Sequence, residues 1–229
     1  MITMAPARVE SADLRHIDTW LFDLDNTLYP LDSGLAMQVS ARITDFVVDL
    51  TGLPRDESHT LQKRYLAQHG LTLRGLMLNH GVDPDVYHAW LHHVPLGCLT
   101  PDAALAEALA RLPGRRLIFT NADEIHAARV LDHLGLADLF ESVFHIGSAG
   151  FQPKPAPQAF ARIVAAHSLT PATTAFLDDA AGNLAPAAAL GMSTVLVGPD
   201  AAACAATFVH FRAPNLATFL SDARLKGSP

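Results

Sequence analysis

Cysteine is nearly absent. Cys98 and Cys204 are the chain's two, and they lie far too distant in sequence to form a CxxC pair. Two isolated thiols suggest neither a disulfide framework nor a thiolate zinc site, and a reducing, cytoplasmic setting is the default expectation. Charge is sparse too, at 17% of residues, with a net value of −7 and a pI near 5.9. No basic stripe is present, so binding a nucleic-acid polymer through its backbone is not expected. Long apolar runs are missing as well. None approaches the ~20 residues a membrane span needs, and Met1 to Glu10 carries no long apolar core. What the chain has in quantity is apolar side chains, 50% of the total, which argues against extended disorder. Its 229 residues suffice for one large domain, or a core with a smaller satellite.

Two textures alternate along most of the sequence. Short apolar runs at Asp18–Phe22, Arg116–Phe119, Thr174–Leu177 and Ser193–Val197 read as buried parallel strands. Helical stretches lie between them. Pro101–Leu112 is Ala/Leu-rich and stops at Pro113-Gly114. Ala122–Leu134 carries Ile125, Val130, Leu131 and Leu134 before Gly135, and Pro155–His167 opens on prolines. Such alternation predicts an open α/β sheet with crossover connections. From Leu31 to about Leu99 the alternation stops. Leu35, Val39, Ile43, Phe46, Val47 and Leu50 recur at helical spacing, then Leu61, Tyr65 and Leu66. Asp83-Pro84 next opens a helix with Val86 and Trp90 on one face. This segment reads as an all-helical insert between the first strand and the rest of the sheet.

In open α/β sheets, ligands gather at the carboxyl ends of the strands. Four polar clusters fall at or just beyond such ends. Asp23 and Asp25 follow the first strand, Thr120-Asn121 the second, and Asp178-Asp179 the run Thr174–Leu177, with Asn183 four residues on. Lys154 stands between Pro153 and Pro155 ahead of a helix. Paired carboxylates at a buried strand end need a counter-charge, and oxygen ligands of this kind suit Mg²⁺ rather than zinc. His88 and His92 have i,i+4 ligand spacing, but with 12 histidines and no supporting Cys or carboxylate motif they read as surface residues.

The order DxDxT, TN, KP, DDxxxN resembles the four motifs of the haloacid dehalogenase-like superfamily, over nearly the whole chain. Phe22 to Pro30, Gly70 to Leu76 with His80 shortly after, and Ile118 to Ala122 are similar to the pyrimidine 5′-nucleotidase branch. The resemblance implies a doubly wound, Rossmann-like parallel sheet core at 1–30 and 100–229, and a helical cap insert at 31–99. It implies a Mg²⁺-dependent phosphomonoesterase that works through an aspartyl-phosphate. Asp23 would be the nucleophile and Asp25 the acid/base, its carbonyl also reaching the metal. Thr120, Asn121 and Lys154 would bind the phosphoryl group, with Lys154 balancing charge. Asp179, and Asp178 directly or through water, would complete the metal site. The dehalogenase branch lacks the second Asp, so Asp25 favours phosphate esters. UMP or CMP is the leading substrate expectation, with Thr72, Asn79 and His80 as candidate cap contacts. Other readings are a phosphatase of phosphoglycolate or a sugar phosphate, a phosphomutase, or an idle binding scaffold.

Overall fold

The computed structural model describes residues 12–227; the segment Met1 to Glu10 lies outside them. Six parallel strands form one sheet in the order β3-β2-β1-β4-β5-β6. They are β1 (Thr19–Phe22), β2 (Arg115–Phe119), β3 (Ser142–Phe144), β4 (Thr174–Asp178), β5 (Ser193–Val197) and β6 (Phe211–Ala213). Every residue of β1 is buried, as a strand covered on both faces requires. Side chains alternate between faces. Trp20, Phe22, Ile118, Leu177 and Val195 join one core cluster, whereas Leu21, Leu117, Phe119, Phe176 and Leu196 join the other. The first is covered by α5 (Ala103–Ala110), α6 (Glu124–Leu134) and α9 (Leu216–Asp222), the second by α7 (Pro157–His167) and α8 (Ala181–Ala189).

β1 occupies the pivotal position. It pairs with β2 on one side and β4 on the other, so chain order reverses across it. A crevice at the carboxyl end of β1 follows from that reversal.

Between β1 and α5 the chain forms a short 3-10 turn, Leu31–Ser33, and four helices: α1 (Leu35–Thr51), α2 (Arg55–His69), α3 (Thr72–His80) and α4 (Pro84–Leu91). They surround their own cluster of Phe46, Val47, Leu61, Tyr65, Leu73, Leu76 and Tyr87. Asp83 caps α4 by accepting the Asp85 N–H at 2.9 Å, ahead of Pro84 at the first helical position. Arg42 and Trp90 tie α1 to α4 reciprocally. Each side chain donates to the other's carbonyl at 3.1 Å, with the guanidinium 4.3 Å from the indole centroid.

Several details differ from the sequence reading. β3 and β6 are strands the sequence did not suggest, because three residues each are too few to show a period. Val86 is exposed, and Tyr87 takes the buried face of α4. In α6 the inward face is His126, Ala127, Val130, Leu131 and Leu134, while Ile125 points to solvent. That shift by one residue brings a histidine inward.

Gly75 permits a close approach of α3 to α2, since a Cβ there would run into the Tyr65 ring of α2. Gly75→Ala should therefore cost about 1–3 kcal/mol through overpacking. The expected result is a lowered urea midpoint at unchanged m-value. An unaltered midpoint would show that α2 and α3 are free to separate.

Candidate active site

The site assembles where β1, β2 and β4 end. Asp23 directly follows β1, and its backbone N–H continues the ladder to the Leu177 carbonyl at 2.9 Å. Asp178 is the last residue of β4, the neighbouring strand. Lys154 arrives from the loop after β3 and inserts its ammonium between them. Nζ donates to Asp23 Oδ1 at 2.8 Å, to Asp178 Oδ2 at 2.8 Å and to the Phe119 carbonyl at 2.7 Å. The rings of Phe119 and Phe176 flank it at 5.1 and 5.2 Å. Lys154 is 2% exposed and Asp178 fully buried, so water contributes almost nothing to their solvation. Burial alone would discharge the lysine, but the two carboxylates outweigh it and hold its pKa above the ordinary value.

Asn121 sets the position of Lys154. Its side-chain carbonyl accepts the Lys154 N–H at 2.8 Å, and its amide donates to the Lys154 carbonyl at 3.2 Å. The Asn121 side chain is thus engaged with the lysine backbone. Thr120 is buried, and its Oγ1 accepts the Ala122 N–H at 3.0 Å at the turn into α6. Asn183 donates to both oxygens of Asp178, at 2.9 and 3.1 Å, and the Ala180 N–H adds a third donor at 2.8 Å. Thr27 reaches Asp23 Oδ2 at 3.4 Å.

Asp23, Asp178 and Asp179 each present an oxygen within 4.8 Å of the others. Three carboxylates against one ammonium leave excess negative charge in a poorly hydrated space. The titration behaviour reflects this. Burial, with the Asp178 and Asp25 charges, pushes Asp23 up to about 8 despite the pull of Lys154. Burial and the Asp178 charge raise Asp179 to about 6. Next to Asp179, Asn26 adopts a left-handed backbone with φ 63, which Asn tolerates better than most residues. Its Oδ1 is buried with no hydrogen-bond partner among the described residues. An orphaned acceptor beside an under-neutralised carboxylate cluster fits a hydrated hard cation.

Asp25 faces the other way, toward the insert. Its Oδ1 accepts from Tyr29 OH at 2.6 Å and pairs with His126 Nε2 at 3.0 Å. Burial raises the Asp25 pKa, but these two donors outweigh it and hold the group below its ordinary range. For His126, burial works against the cation and the Asp25 hydrogen bond more than compensates, leaving its pKa raised. Neither Tyr29 nor His126 was among the residues expected from the sequence. The signal existed, since extending the spacing of Val130, Leu131 and Leu134 back one turn reaches His126 and Ala127.

A cavity of about 340 Å³ lies between Asp25 and the insert helices. Its wall combines apolar side chains such as Val39, Ile43 and Leu91 with Lys63, His88 and Asp123. Of the three cap residues expected to contact substrate, Thr72 lines this cavity, though its hydroxyl donates to the Gln62 carbonyl at 3.2 Å. Asn79 and His80 are exposed at the far end of α3 and do not line it. Asn79 donates to the Gly75 carbonyl at 2.8 Å and His80 pairs with Tyr65 OH at 3.0 Å. His88 and His92, read as surface residues, are half-buried at this junction instead. His92 Nε2 bonds Asp123 Oδ1 at 2.9 Å and bridges insert to core. No helix among the described residues is long and apolar enough to cross a membrane.

Comparison with known proteins supplies the lineage. Residues 17–191 match the haloacid dehalogenase-like hydrolase family. Phosphate metabolism protein 8 of Saccharomyces cerevisiae is 30% identical over 193 residues, covering 77% of this chain and 60% of that protein. The chain thus spans less than two thirds of that relative's length. Among solved structures, a HAD phosphatase from Thermococcus onnurineus matches with a TM-score of 0.62 at 18% identity, over 87% of this chain and 94% of the other. An L-2-haloacid dehalogenase from Xanthobacter autotrophicus with chloropropionic acid covalently bound gives 0.56 at 18% identity, over 90% and 97%. At such identities these two likenesses concern the fold alone. The chain belongs to the haloacid dehalogenase-like hydrolases.

Proposed function

We propose that this hydrolase is a Mg²⁺-dependent phosphomonoesterase acting through an aspartyl-phosphate, with pyrimidine nucleoside 5′-monophosphates, UMP or CMP, as its leading substrates. The observation that carries the reading is the Lys154 ammonium joining Asp23 to Asp178, with Asp25 on the opposite side facing a cavity large enough for a leaving group. In this reading residues 1–30 and 100–229 form the catalytic core and 31–99 the cap. Two isolated, free cysteines support the cytoplasmic setting.

Asp23 attacks phosphorus, and the P–O bond to the leaving group breaks as Asp25, in its acid form, delivers a proton to that oxygen. The negative charge of an arriving phosphate opposes the two donors on Asp25 and favours that acid form. Asp25, now a carboxylate, takes a proton from water, which attacks the aspartyl-phosphate and releases inorganic phosphate and free Asp23. Lys154 offsets charge on Asp23 and the phosphoryl oxygens, with the Thr120 hydroxyl and the Asn121 backbone N–H, ahead of α6, forming the rest of the phosphate site. Asp23, the Asp25 carbonyl, Asp179 and Asp178 would hold Mg²⁺. When bound, the ion would supply positive charge to the phosphoryl oxygens and neutralise the acid cluster. A dehalogenase shares this fold, but a second carboxylate able to protonate a leaving oxygen has its use on phosphate esters. The name of the yeast relative, a phosphate metabolism protein, accords with that choice.

Asp23→Asn should abolish phosphate release from p-nitrophenyl phosphate and leave circular dichroism unchanged. The loss should amount to several powers of ten, at ~1.4 kcal/mol per tenfold. Near-normal turnover would remove Asp23 from the nucleophile's role.

Lys154→Met should destabilise the fold by about 3–5 kcal/mol in EDTA, because buried carboxylates lose their cation. Added Mg²⁺ should restore part of that loss, and should restore activity to a chelated wild type. A Mg²⁺-independent midpoint together with full activity in EDTA would overturn the metal assignment.

Substrate choice belongs to the cavity, since the core clusters address only the phosphate. A screen of phosphorylated metabolites should rank UMP and CMP first. His88→Ala should raise KM for UMP several-fold and that for p-nitrophenyl phosphate by much less, since burial lowers the imidazole pKa and a neutral hydrogen bond to the nucleoside is worth ~0.5–1.5 kcal/mol. Absence of UMP and CMP turnover would leave only a broader phosphatase.

A further inference from the structure

We propose that Tyr29 and His126 are paired positioning residues that pin one oxygen of Asp25, so that the other, which they leave without a partner, is the atom that transfers the proton. The inference rests on the acid/base role given to Asp25 above, and it names how that role is built.

The geometry is specific. Two donors from different elements converge on one atom: Tyr29 OH at 2.6 Å and His126 Nε2 at 3.0 Å, both to Asp25 Oδ1. A carboxylate oxygen only accepts, so the Nε2 of His126 carries a proton toward it. No hydrogen bond to Oδ2 occurs among the described residues, while the Asp25 side chain retains 36% of its surface and lines the cavity. Oδ1 is held and Oδ2 is left available.

Both donors are themselves fixed. Tyr29 is 5% exposed in the turn that follows β1, packed in the core cluster with Leu28 and Leu35. His126 is 9% exposed in the first turns of α6, where its backbone N–H is held by Asp123 Oδ1 at 3.1 Å. Asp123 also receives His92 from the end of α4. The orientation of Asp25 is therefore tied to the start of α6 and, through Asp123, to the helical insert.

General acid catalysis needs the proton within hydrogen-bond reach of the leaving oxygen, and a carboxyl free to rotate about its side-chain torsions loses most of that benefit. An ordinary packing pair would have no reason to place both donors on the same oxygen and leave its twin without a partner.

The test compares phenyl phosphate with p-nitrophenyl phosphate, which have similar shape but leaving groups of different acidity. kcat/KM is the proper readout, because it covers steps only through formation of the aspartyl-phosphate. Asp25→Asn should depress phenyl phosphate far more than p-nitrophenyl phosphate, whose nitrophenolate departs with little help. Tyr29→Phe and His126→Ala should do the same in milder form, with about tenfold loss for phenyl phosphate and less than about threefold for p-nitrophenyl phosphate. His126→Gln, whose amide can donate to the same oxygen, should recover most of the phenyl phosphate rate. Tyr29→Phe keeps the packed ring, so its result is independent of any folding defect in the histidine variants. If Asp25→Asn discriminates between the substrates while Tyr29→Phe and His126→Ala slow both equally, the positioning role is overturned and the acid/base role stands. If Asp25→Asn itself fails to discriminate, the acid/base role falls and this inference with it.

Discussion

One buried ammonium governs the arrangement of this protein. An isolated charge in the interior is costly, and a lysine at the Lys154 position stays charged only with its carboxylates in place. Asp23 and Asp178 can both reach it because β1 and β4 are neighbours, and the third acceptor is the carbonyl that ends β2. The lysine is thus a registration point for three adjacent strands. Asn121 clamps its backbone from both sides, which makes the turn after β2 a structural partner of a loop that follows β3. The same cation does not neutralise the whole cluster. Two further formal negative charges remain near it, and that deficit is the physical reason the site suits a divalent ion.

The lysine loop also joins the two parts of the molecule. Phe151 packs against the insert's own cluster and stacks on His88 with centroids 6.5 Å apart. Gln152 accepts a hydrogen bond from Arg74 at 2.8 Å, and Pro153 lies against Gly70 where α2 ends. Phe151 adopts φ 56, a conformation unfavourable for an aromatic residue, and its packing against α4 and its neighbours offsets that strain. Three residues before the charged centre, the chain is therefore held by the insert. Through the His92–Asp123 bond the insert also reaches α6, whose first turns carry His126. The helices that wall the cavity touch both sides of the chemistry, the lysine side and the Asp25 side.

This fold is shared by a phosphatase and by a carbon–halogen hydrolase, so topology by itself does not choose a reaction. The choice comes from what stands at the strand ends. Asp25 supplies a second carboxylate, set apart from the acid cluster and held by different partners. Burial drives Asp23 and Asp179 upward, while two donors hold Asp25 down. Environments that separate the behaviour of two like groups two residues apart are the usual basis for giving them different tasks.

Sequence alone determined the alternation of strands and helices, the run of helices after the first strand, three polar clusters at strand ends and the charged Lys154 in a loop ahead of a helix. These are local properties: periodicity reports which face of an element is buried, and a charged residue after an apolar run stands out without any partner in view. It could not find β3 and β6, since three residues show no period, nor the cavity wall, because cavities form between elements distant in sequence. Asn79 and His80 were expected as substrate contacts from the cap resemblance, and the structure places them exposed at the end of α3, outside the wall of this cavity. His126 lay hidden for the opposite reason. Read as one position off the inward face, α6 offered Ile125 to the core, and only packing of the whole helix showed the imidazole aimed at Asp25. Which residues exist near a strand end is written along the chain. Which atoms meet there depends on rotations and distances of under a few ångströms, and those are decided only when every element is packed at once.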